Sequence, residues 1–337
     1  MKQLTIIGGG LAGLAAGISL RHDGVPVHLI EGKSYPRHKV CGEFISGRGL
    51  GAFAKLGIDP AAIGRPVETI SFHRGSCSSQ PSTLPDSGVA IARFELDFAL
   101  AREFVRLGGE LTCPFRFESH LLNEGVVSAT GRRLQAHSKF KWYGLKAHVT
   151  DVQTASDLEL HFAENGYVGL CRIDRQRTNI CGLFRRSAEE CSSSGGIIEH
   201  FANVPSLRDR LQTARWQRES FAAVSGLSLN EAFSPDPDRF AIGDALSMIP
   251  PFTGNGMSVA LESAELAVGP LSGYSRGELS WREAVDAYQS NARHRFGRRM
   301  QAATVVQKLS MKPLWTSLFL KAANSLPLWR GIFAVTR

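Results

Sequence analysis

The chain begins with two short apolar runs, residues 4–7 and 25–30, which are separated by consecutive glycines and by helical periodicity over residues 14–21. Short runs rich in β-branched residues are typical of buried strands, and apolar positions three and four apart are typical of a helix. The pattern therefore predicts a strand, a glycine turn, a helix and a second strand.

The glycine turn has the spacing of a dinucleotide-binding motif, with glycines at positions 8, 10 and 13. Gly8 permits a tight turn, Gly10 leaves room for a pyrophosphate at the backbone, and Gly13 lets the helix approach the strand. The phosphates would meet the free N–H groups of the helix that starts near Leu11 and Ala12.

Glu31 follows the second strand, about twenty residues after the turn, where a carboxylate can accept hydrogen bonds from an adenosine ribose. A secretory signal peptide is the alternative, since Lys2 precedes an apolar stretch. Three consecutive glycines interrupt that stretch, and the pattern continues into a second strand. A dinucleotide site is the better interpretation.

Apolar and polar residues alternate through the middle third of the chain, which indicates an antiparallel sheet with one covered face. We expect strands at residues 67–72, 88–91, 110–115, 126–129, 141–149, 158–162, 167–173, 178–184 and 239–245, and helices at residues 47–56, 94–107, 197–202, 207–213 and 258–271.

A second glycine turn follows the strand that ends in Gly243-Asp244. The turn removes side chains where a flat ligand could approach the backbone, and it precedes a long helix. A second helix start facing the cofactor indicates a ligand longer than a mononucleotide. The candidate binding residues in this turn are Pro251, Gly254, Asn255, Gly256 and Met257.

Composition narrows the class of protein. The chain has 337 residues, 43% hydrophobic and 21% charged, as expected of a globular protein with more than one domain. Its six cysteines show no metal-ligand spacing, which favours reduced thiols and a cytoplasmic location.

Positive charge is concentrated near the end of the sequence, where residues 291–337 carry nine Lys or Arg and no Asp or Glu. No nucleic-acid-binding motif accompanies this charge, so we expect no nucleic-acid partner. Interleaved bulky apolar residues favour contact with an anionic membrane surface, at the inner face of the membrane. Terminal helices that pack on the body, with solvated charges, are the alternative. Lys321, Pro327 and Arg330 break the apolar run short of a membrane span.

Three motifs occur in order along the chain: residues 8–13 with Glu31, residues 36–43 with the sequence Pro-Arg-His-Lys-Val-Cys-Gly-Glu, and Gly243-Asp244 with residues 251–257. Together they resemble the FAD-dependent geranylgeranyl reductase and aromatic hydroxylase superfamily. This resemblance implies an α/β fold with an α+β insert: a Rossmann-like FAD-binding domain of the para-hydroxybenzoate hydroxylase type, an inserted antiparallel β-sheet substrate domain, and C-terminal helices.

The resemblance also implies domain bounds and roles. The discontinuous FAD-binding domain would comprise residues 1–66, 88–135 and 235–275, the substrate domain residues 67–87 and 136–234, and the C-terminal helices residues 276–337. Asp244 would hold the ribityl chain and residues 254–257 would face the isoalloxazine. Cys41, beside the ring, is the catalytic candidate. The other implied FAD contacts are Arg37, Lys39, Val40, Gly42 and Arg93.

This chain departs from the family pattern at three points. Thr130-Gly131 stands where many members have Asp-Gly, which leaves the use of NADH or NADPH as electron donor unspecified. Tyr167 leads into Val-Gly-Leu, unlike the Tyr-x-Trp-x-Phe-Pro stretch of polyprenyl reductases. No Trp-x-Trp occurs, which argues against a flavin halogenase.

We therefore expect an FAD-dependent oxidoreductase that acts on a hydrophobic substrate, an isoprenoid, quinone precursor or phenol, by alkene reduction or hydroxylation. His148 and His161 lie on predicted strands and are candidates for an acid or base, although strand histidines are more often structural. Two alternatives remain: an NAD-dependent dehydrogenase, and a non-catalytic flavoprotein that binds lipid or a partner through its basic tail.

Overall fold

The computed structural model describes residues 1–117, 123–131, 140–187, 196–227, 236, 238–323 and 328–336. Two sheets organise them. The strands, in chain order, are β1 (Leu4–Ile7), β2 (Val27–Ile30), β3 (Phe44–Ser46), β4 (Arg65–Arg74), β5 (Cys77–Ser78), β6 (Ser82–Ala90), β7 (Glu110–Thr112), β8 (Val126–Ser128), β9 (Phe140–Thr150), β10 (Leu158–Ala163), β11 (Gly166–Arg172), β12 (Thr178–Ser187), β13 (Arg215–Leu227) and β14 (Phe240–Ala241).

Nine helices accompany these strands in the described part of the chain. They are α1 (Leu11–His22), α2 (Arg48–Lys55), α3 (Pro60–Ile63), α4 (Arg93–Arg106), α5 (Ile197–Ala202), α6 (Gly256–Arg276), α7 (Trp281–Ser310), α8 (Pro313–Ala323) and α9 (Leu328–Thr336). None of the described helices is long and apolar enough to cross a bilayer.

The first sheet is parallel and has the order β14-β8-β1-β2-β7. Its central strand, β1, pairs with β2 and β8, so the glycine turn leaves the carboxyl edge in the middle of the sheet. Ligands of open parallel sheets bind at this edge. The buried residues of α1, α4 and α6 pack with this sheet in one hydrophobic core.

The second sheet has nine strands, ordered β13-β9-β12-β11-β10-β4-β6-β3, with β5 paired to β4. Its pairs are antiparallel except for the parallel pair of β10 with β4. One face packs against α5 and the turns that follow it. The other face packs against α8, α9 and Phe252. The sheet thus lies between these two layers.

The expected fold class is confirmed: a parallel Rossmann-like sheet is combined with a largely antiparallel sheet and C-terminal helices. Two predicted elements differ from the structure. The strand predicted over residues 239–245 ends at Ala241, before a 3-10 turn at Gly243–Ala245, and residues 207–213 form successive turns and no helix. Leu207 and Leu211 are both buried, so the spacing that indicated a helix arises from burial of these two side chains within a series of turns. The segment is too short for a cooperative helix.

The sequence did not predict β13, although it spans Arg215–Leu227. This strand lies at the sheet edge, its register shifts between Gln217 and Ala222, and few of its residues are buried. A bulged edge strand lacks the regular alternation by which a strand is recognised. β3 lies within the segment assigned by sequence to the FAD domain, yet it pairs with β6 in the second sheet.

Candidate cofactor site

Two glycines of the first turn are required by close packing. Gly8 has a φ of +111°, and a Cβ there would lie 2.2 Å from the Ala129 carbonyl oxygen. A Cβ on Gly13 would lie 2.0 Å from the Gly8 carbonyl oxygen. The turn therefore brings α1 against β1 and β8, and no larger residue fits at either position.

Gly10 differs from these two glycines because its surroundings are open. A Cβ there would meet only the Lys39 Nζ, at 3.5 Å. Gly10 is the N-cap of α1 and has extended backbone. The first N–H groups of a helix, including those of Leu11 and Ala12, have no intrahelical acceptor. A helix start, an ammonium group and unfilled space together fit a phosphate.

Glu31 lies at the tip of β2 and is buried. Its Oε2 accepts a hydrogen bond from the Gly9 N–H at 2.8 Å, and its Oε1 accepts from the Lys33 N–H and from Arg37. Burial alone would raise the pKa of Glu31, but the hydrogen bond and charge of Arg37 outweigh it and lower the pKa. Since a carboxylate has about four acceptor sites, one remains for a ribose hydroxyl.

Arg93 begins α4 and forms a buried ion pair with Asp97, one turn later. Its guanidinium lies 2.8 Å from the Asp97 Oδ1, and Lys39 Nζ lies 2.9 Å from the Oδ2. Although burial raises the pKa of Asp97, the Arg93 and Lys39 charges lower it below its ordinary value. The sequence analysis did not identify Asp97, although its spacing of four residues from Arg93 is a recognisable signal.

The strand end that precedes the second turn meets the first turn. Gly243 has a φ of +62°, and a Cβ there would lie 2.9 Å from the Ala12 Cβ. Pro251 opens a short 3-10 turn, Gly254 has a left-handed φ of +67°, and α6 begins at Gly256. Asn255 and Met257 are buried, and Asp244 lies in the turn that Gly243 opens.

The loop with Cys41 connects the two sheets. The Cys41 carbonyl accepts a hydrogen bond from Asn179 of β12 at 3.0 Å. Val40 packs closely on Gly144 of β9, where a Cβ would lie 2.8 Å from the Val40 Cγ1. A Cβ on Gly42 would have no neighbouring atom within 4 Å, so there is open space beside this residue. Burial raises the pKa of the Cys41 thiol, with the Arg93 charge opposing it, so the thiol stays neutral. A reactive thiolate is not favoured here.

A buried polar network lies beside this loop. Glu43 Oε1 lies 3.2 Å from Lys146 Nζ, and Glu43 Oε2 lies 2.7 Å from His148 Nε2. Lys146 Nζ also lies 2.9 Å from His38 Nδ1. Lys146 and His148 are two residues apart on β9, so their side chains point to the same face of the sheet. Sequence analysis considered His148 as an acid or base but did not identify its partners.

Next to this network the same face becomes apolar. The Phe252 ring lies 5.8 Å from that of Phe162 and 5.1 Å from that of Tyr167. Phe72 and Phe319 pack edge to face at 4.9 Å. Because Phe252 belongs to the second glycine turn, this apolar patch adjoins the candidate cofactor site.

His161 lies on the opposite face of the second sheet, in a buried cluster with His73 and Glu159. Glu159 already receives two hydrogen bonds from Arg210, and the two imidazoles are stacked at 4.4 Å with an interplanar angle of 11°. Imidazole lone pairs lie in the ring plane, so parallel stacked rings do not converge on one ion. The cluster is a satisfied structural network.

The first turn, at the carboxyl edge of the parallel sheet, has the geometry of a dinucleotide-binding site of the Rossmann type, and the second sheet lies beside it. No family model matches the sequence. A curated relative, squalene epoxidase erg1 of Aspergillus fumigatus, is 24% identical over 309 residues. The match covers 77% of this chain and 64% of that protein.

Solved structures match the whole architecture. The flavin-dependent brominase Bmp2 matches with a TM-score of 0.75 and 17% identity, over 99% of this chain and 93% of that one. A geranylgeranyl bacteriochlorophyll reductase-like protein from Thermoplasma acidophilum matches with a TM-score of 0.72 and 16% identity, over 97% and 92%. The chain therefore has the fold of FAD-dependent oxidoreductases, as the sequence resemblance indicated.

Proposed function

We propose that the protein is an FAD-dependent oxidoreductase that acts on an apolar substrate. The observation that carries this proposal is the contact between the end of the strand before the second glycine turn and the first turn, where Gly243 packs against Ala12 at the start of α1. Because α1 and α6 also pack against each other, one extended ligand could reach the N-termini of both helices. The fold likeness to flavin-dependent enzymes supports the same conclusion.

The residues of the first turn fit FAD. The α1 N-terminus and Lys39 would hold the pyrophosphate, and Glu31 would hold the adenosine ribose. The α6 N-terminus, at Gly256, would place its positive end beside the flavin. When bound, FAD supplies two-electron chemistry, and the protein supplies orientation, charge and exclusion of water.

Phe72, Phe162 and Tyr167 are buried under the C-terminal helices, and half-buried Phe252 extends this apolar region to the second glycine turn. An apolar surface at the turn supports an apolar substrate, such as an isoprenoid, a quinone precursor or a phenol. Such rings bury apolar area and offer few hydrogen bonds. Alkene reduction and hydroxylation both use such a surface. A halogenase shares the fold, but the sequence lacks the Trp-x-Trp motif.

An anaerobic titration tests the proposed oxidoreductase activity. We expect NADH or NADPH to bleach the yellow colour of the FAD-loaded protein. Return of the colour with an added polyprenyl or quinone precursor, still without oxygen, would identify alkene reduction. Return with a phenol and dioxygen, with oxygen in the product, would identify hydroxylation. If neither donor bleaches the flavin, direct reduction by a dihydronicotinamide is wrong.

An NAD-dependent dehydrogenase is the second candidate, because it shares the first glycine turn. It has no use for Gly243, which packs against Ala12 at the start of α1, or for the left-handed turn at Gly254 that precedes α6. Equilibrium dialysis against equal FAD and NAD distinguishes the two: retention of NAD alone would support the dehydrogenase.

We also propose that α8 contacts an anionic membrane surface. Its buried face carries Thr316 and Leu320, whereas Leu314, Trp315 and Leu318 are 71%, 51% and 50% exposed. Exposed Lys312 precedes α8 and exposed Lys321 lies in its last turn, and the neighbouring helices α7 and α9 carry exposed Lys308 and Arg330. Apolar residues bordered by cations are the composition of interfacial helices. Membrane contact would give an apolar substrate a short route to the protein.

Replacement of Trp315 and Leu318 by serine tests this contact. We expect cosedimentation with anionic vesicles to fall at least about tenfold, because two large apolar side chains no longer enter the interface. Val105→Ser is the matched control, since Val105 is 52% exposed on α4. Equal sedimentation of all three proteins would show that α8 only packs on the body.

A further inference from the structure

The second glycine turn is held by helices near the end of the chain. Residues 250–255 lie outside both sheets of the described chain. Within the turn, the Gly254 N–H donates to the Pro251 carbonyl at 3.0 Å. The Phe252 N–H donates at 3.2 Å to Oε1 of Gln307, a buried residue of α7. A loop outside the sheets depends on such contacts for its shape, so its partners decide how it meets a ligand.

Asn255, the N-cap of α6, connects this turn to α9. It is fully buried, and its Nδ2 donates to the Thr253 Oγ1 and to the carbonyl of Thr336 in the last turn of α9. Within the described contacts, its side chain makes no capping hydrogen bond to α6. Because the amide faces α9, the first N–H groups of α6 stay available to a ligand.

The Thr336 carbonyl lies in a built site. It also accepts a hydrogen bond from Arg299 Nε at 2.9 Å, and Arg299 Nη1 donates to Glu262 Oε1 of α6 at 2.7 Å. Both Arg299 and Glu262 are buried. The last carbonyls of a helix have no intrahelical donors, and a cation there is favourable. Since a carbonyl has two lone pairs, Asn255 and Arg299 satisfy this one.

Apolar packing holds the rest of α9 in the same place. Half-buried Phe333 packs against the apolar face of the second sheet, and Thr336 is 1% exposed. Ala334 and Val335, between these two residues, are exposed. α9 therefore has one docked face and one solvent face, and its docked face ends at the second glycine turn.

We propose that α9 is a positioning element for the cofactor site. Through Asn255, it holds the second glycine turn in the shape that presents the first N–H groups of α6 to the flavin. In this respect the inference rests on the proposed function. Asn255 is then a positioning residue, whose side chain serves α9. A loop that is fixed before binding does not have to be ordered by the ligand, so the affinity for FAD depends on α9.

A double-mutant cycle tests this dependence. Ala334→Pro disrupts α9 without removing a buried side chain, because proline inside a helix removes an N–H and clashes with the preceding turn. We expect Ala334→Pro and Asn255→Ala each to raise the dissociation constant of FAD, measured by flavin fluorescence quenching, by about tenfold. The double variant should bind FAD about as weakly as either single variant, since both changes remove the same contact.

Ala334→Ser is the matched control, since serine occupies the same exposed position and is tolerated in a helix. We expect it to bind FAD with the wild-type dissociation constant. The positioning role is wrong if the double variant binds about 100-fold more weakly, which is the product of two independent tenfold effects. It is also wrong if Ala334→Pro binds FAD as tightly as the wild type does.

Hydrogen exchange of the ligand-free protein separates this inference from the proposed function. Without α9 the second turn should open more often, so the Gly254 N–H should exchange at least about tenfold faster in Ala334→Pro than in the wild type. The amides of β1 should exchange at the wild-type rate. Unchanged exchange at residues 251–257, or an equal rise in β1, overturns the positioning role, whereas a folded wild-type protein that binds no FAD overturns the proposed function.

Discussion

Gly10→Val is expected to give a folded protein that purifies without FAD. The backbone at Gly10 is extended, and its Cβ direction meets only the Lys39 ammonium at 3.5 Å. Valine therefore fits the ligand-free chain, but its methyl groups occupy the space where a pyrophosphate must approach the α1 N-terminus. Flavin absorbance per chain and far-UV circular dichroism measure the two effects.

Gly13→Val is the control that separates loss of ligand from loss of fold. A Cβ at Gly13 would lie 2.0 Å from the Gly8 carbonyl oxygen, so valine forces α1 away from β1. We expect this variant to aggregate or to unfold at a much lower temperature. A Gly10→Val protein that retains a full complement of FAD would show that the phosphates lie elsewhere.

Arg93→Met is expected to lower the free energy of unfolding by about 3–5 kcal/mol, measured by urea denaturation at pH 7 without cofactor. The Asp97 side chain is 0% exposed, and Lys39 is its other charged partner among the described contacts. Removal of the Arg93 guanidinium leaves the buried Asp97 carboxylate paired with Lys39 alone among these two cations. Arg106→Met, which breaks an exposed pair with Glu103, should change stability little.

The effect of Arg93→Met should depend on pH. The folded-state pKa of Asp97 lies below its ordinary value, so its stabilising contribution is present above about pH 4 and is lost as the pH falls. The difference between wild type and Arg93→Met should therefore shrink toward acid pH. An equal difference at pH 7 and at pH 3 would show that the ion pair is not its cause.

Much of the fold was predictable because local patterns and tertiary packing agree. The run from β1 to β2 combines strand periodicity, a glycine turn and a helix, and the structure has these elements in that order. Side-chain character alternates along strands β9 to β12 because successive residues of each strand point to two different faces of the sheet. Patterns fail where burial is irregular, as at the bulged strand β13.

The site was less predictable than the fold. Glycine turns have a local signature, so Gly8, Gly13 and Gly243 could be chosen from sequence, and the structure shows close packing at each. The network of Glu43 and Lys146 joins residues 103 positions apart. Such a contact depends on how the second sheet docks on the Cys41 loop, which periodicity does not encode.

The central claim is that the two glycine turns bind one molecule of FAD. The most direct test is to denature the purified, folded protein after incubation with equal FAD and NAD and to identify the released nucleotide by chromatography. The account predicts FAD in an amount close to that of the protein, in wild type and not in Gly10→Val. Release of NAD alone, or of no nucleotide, from the folded wild-type protein would contradict it.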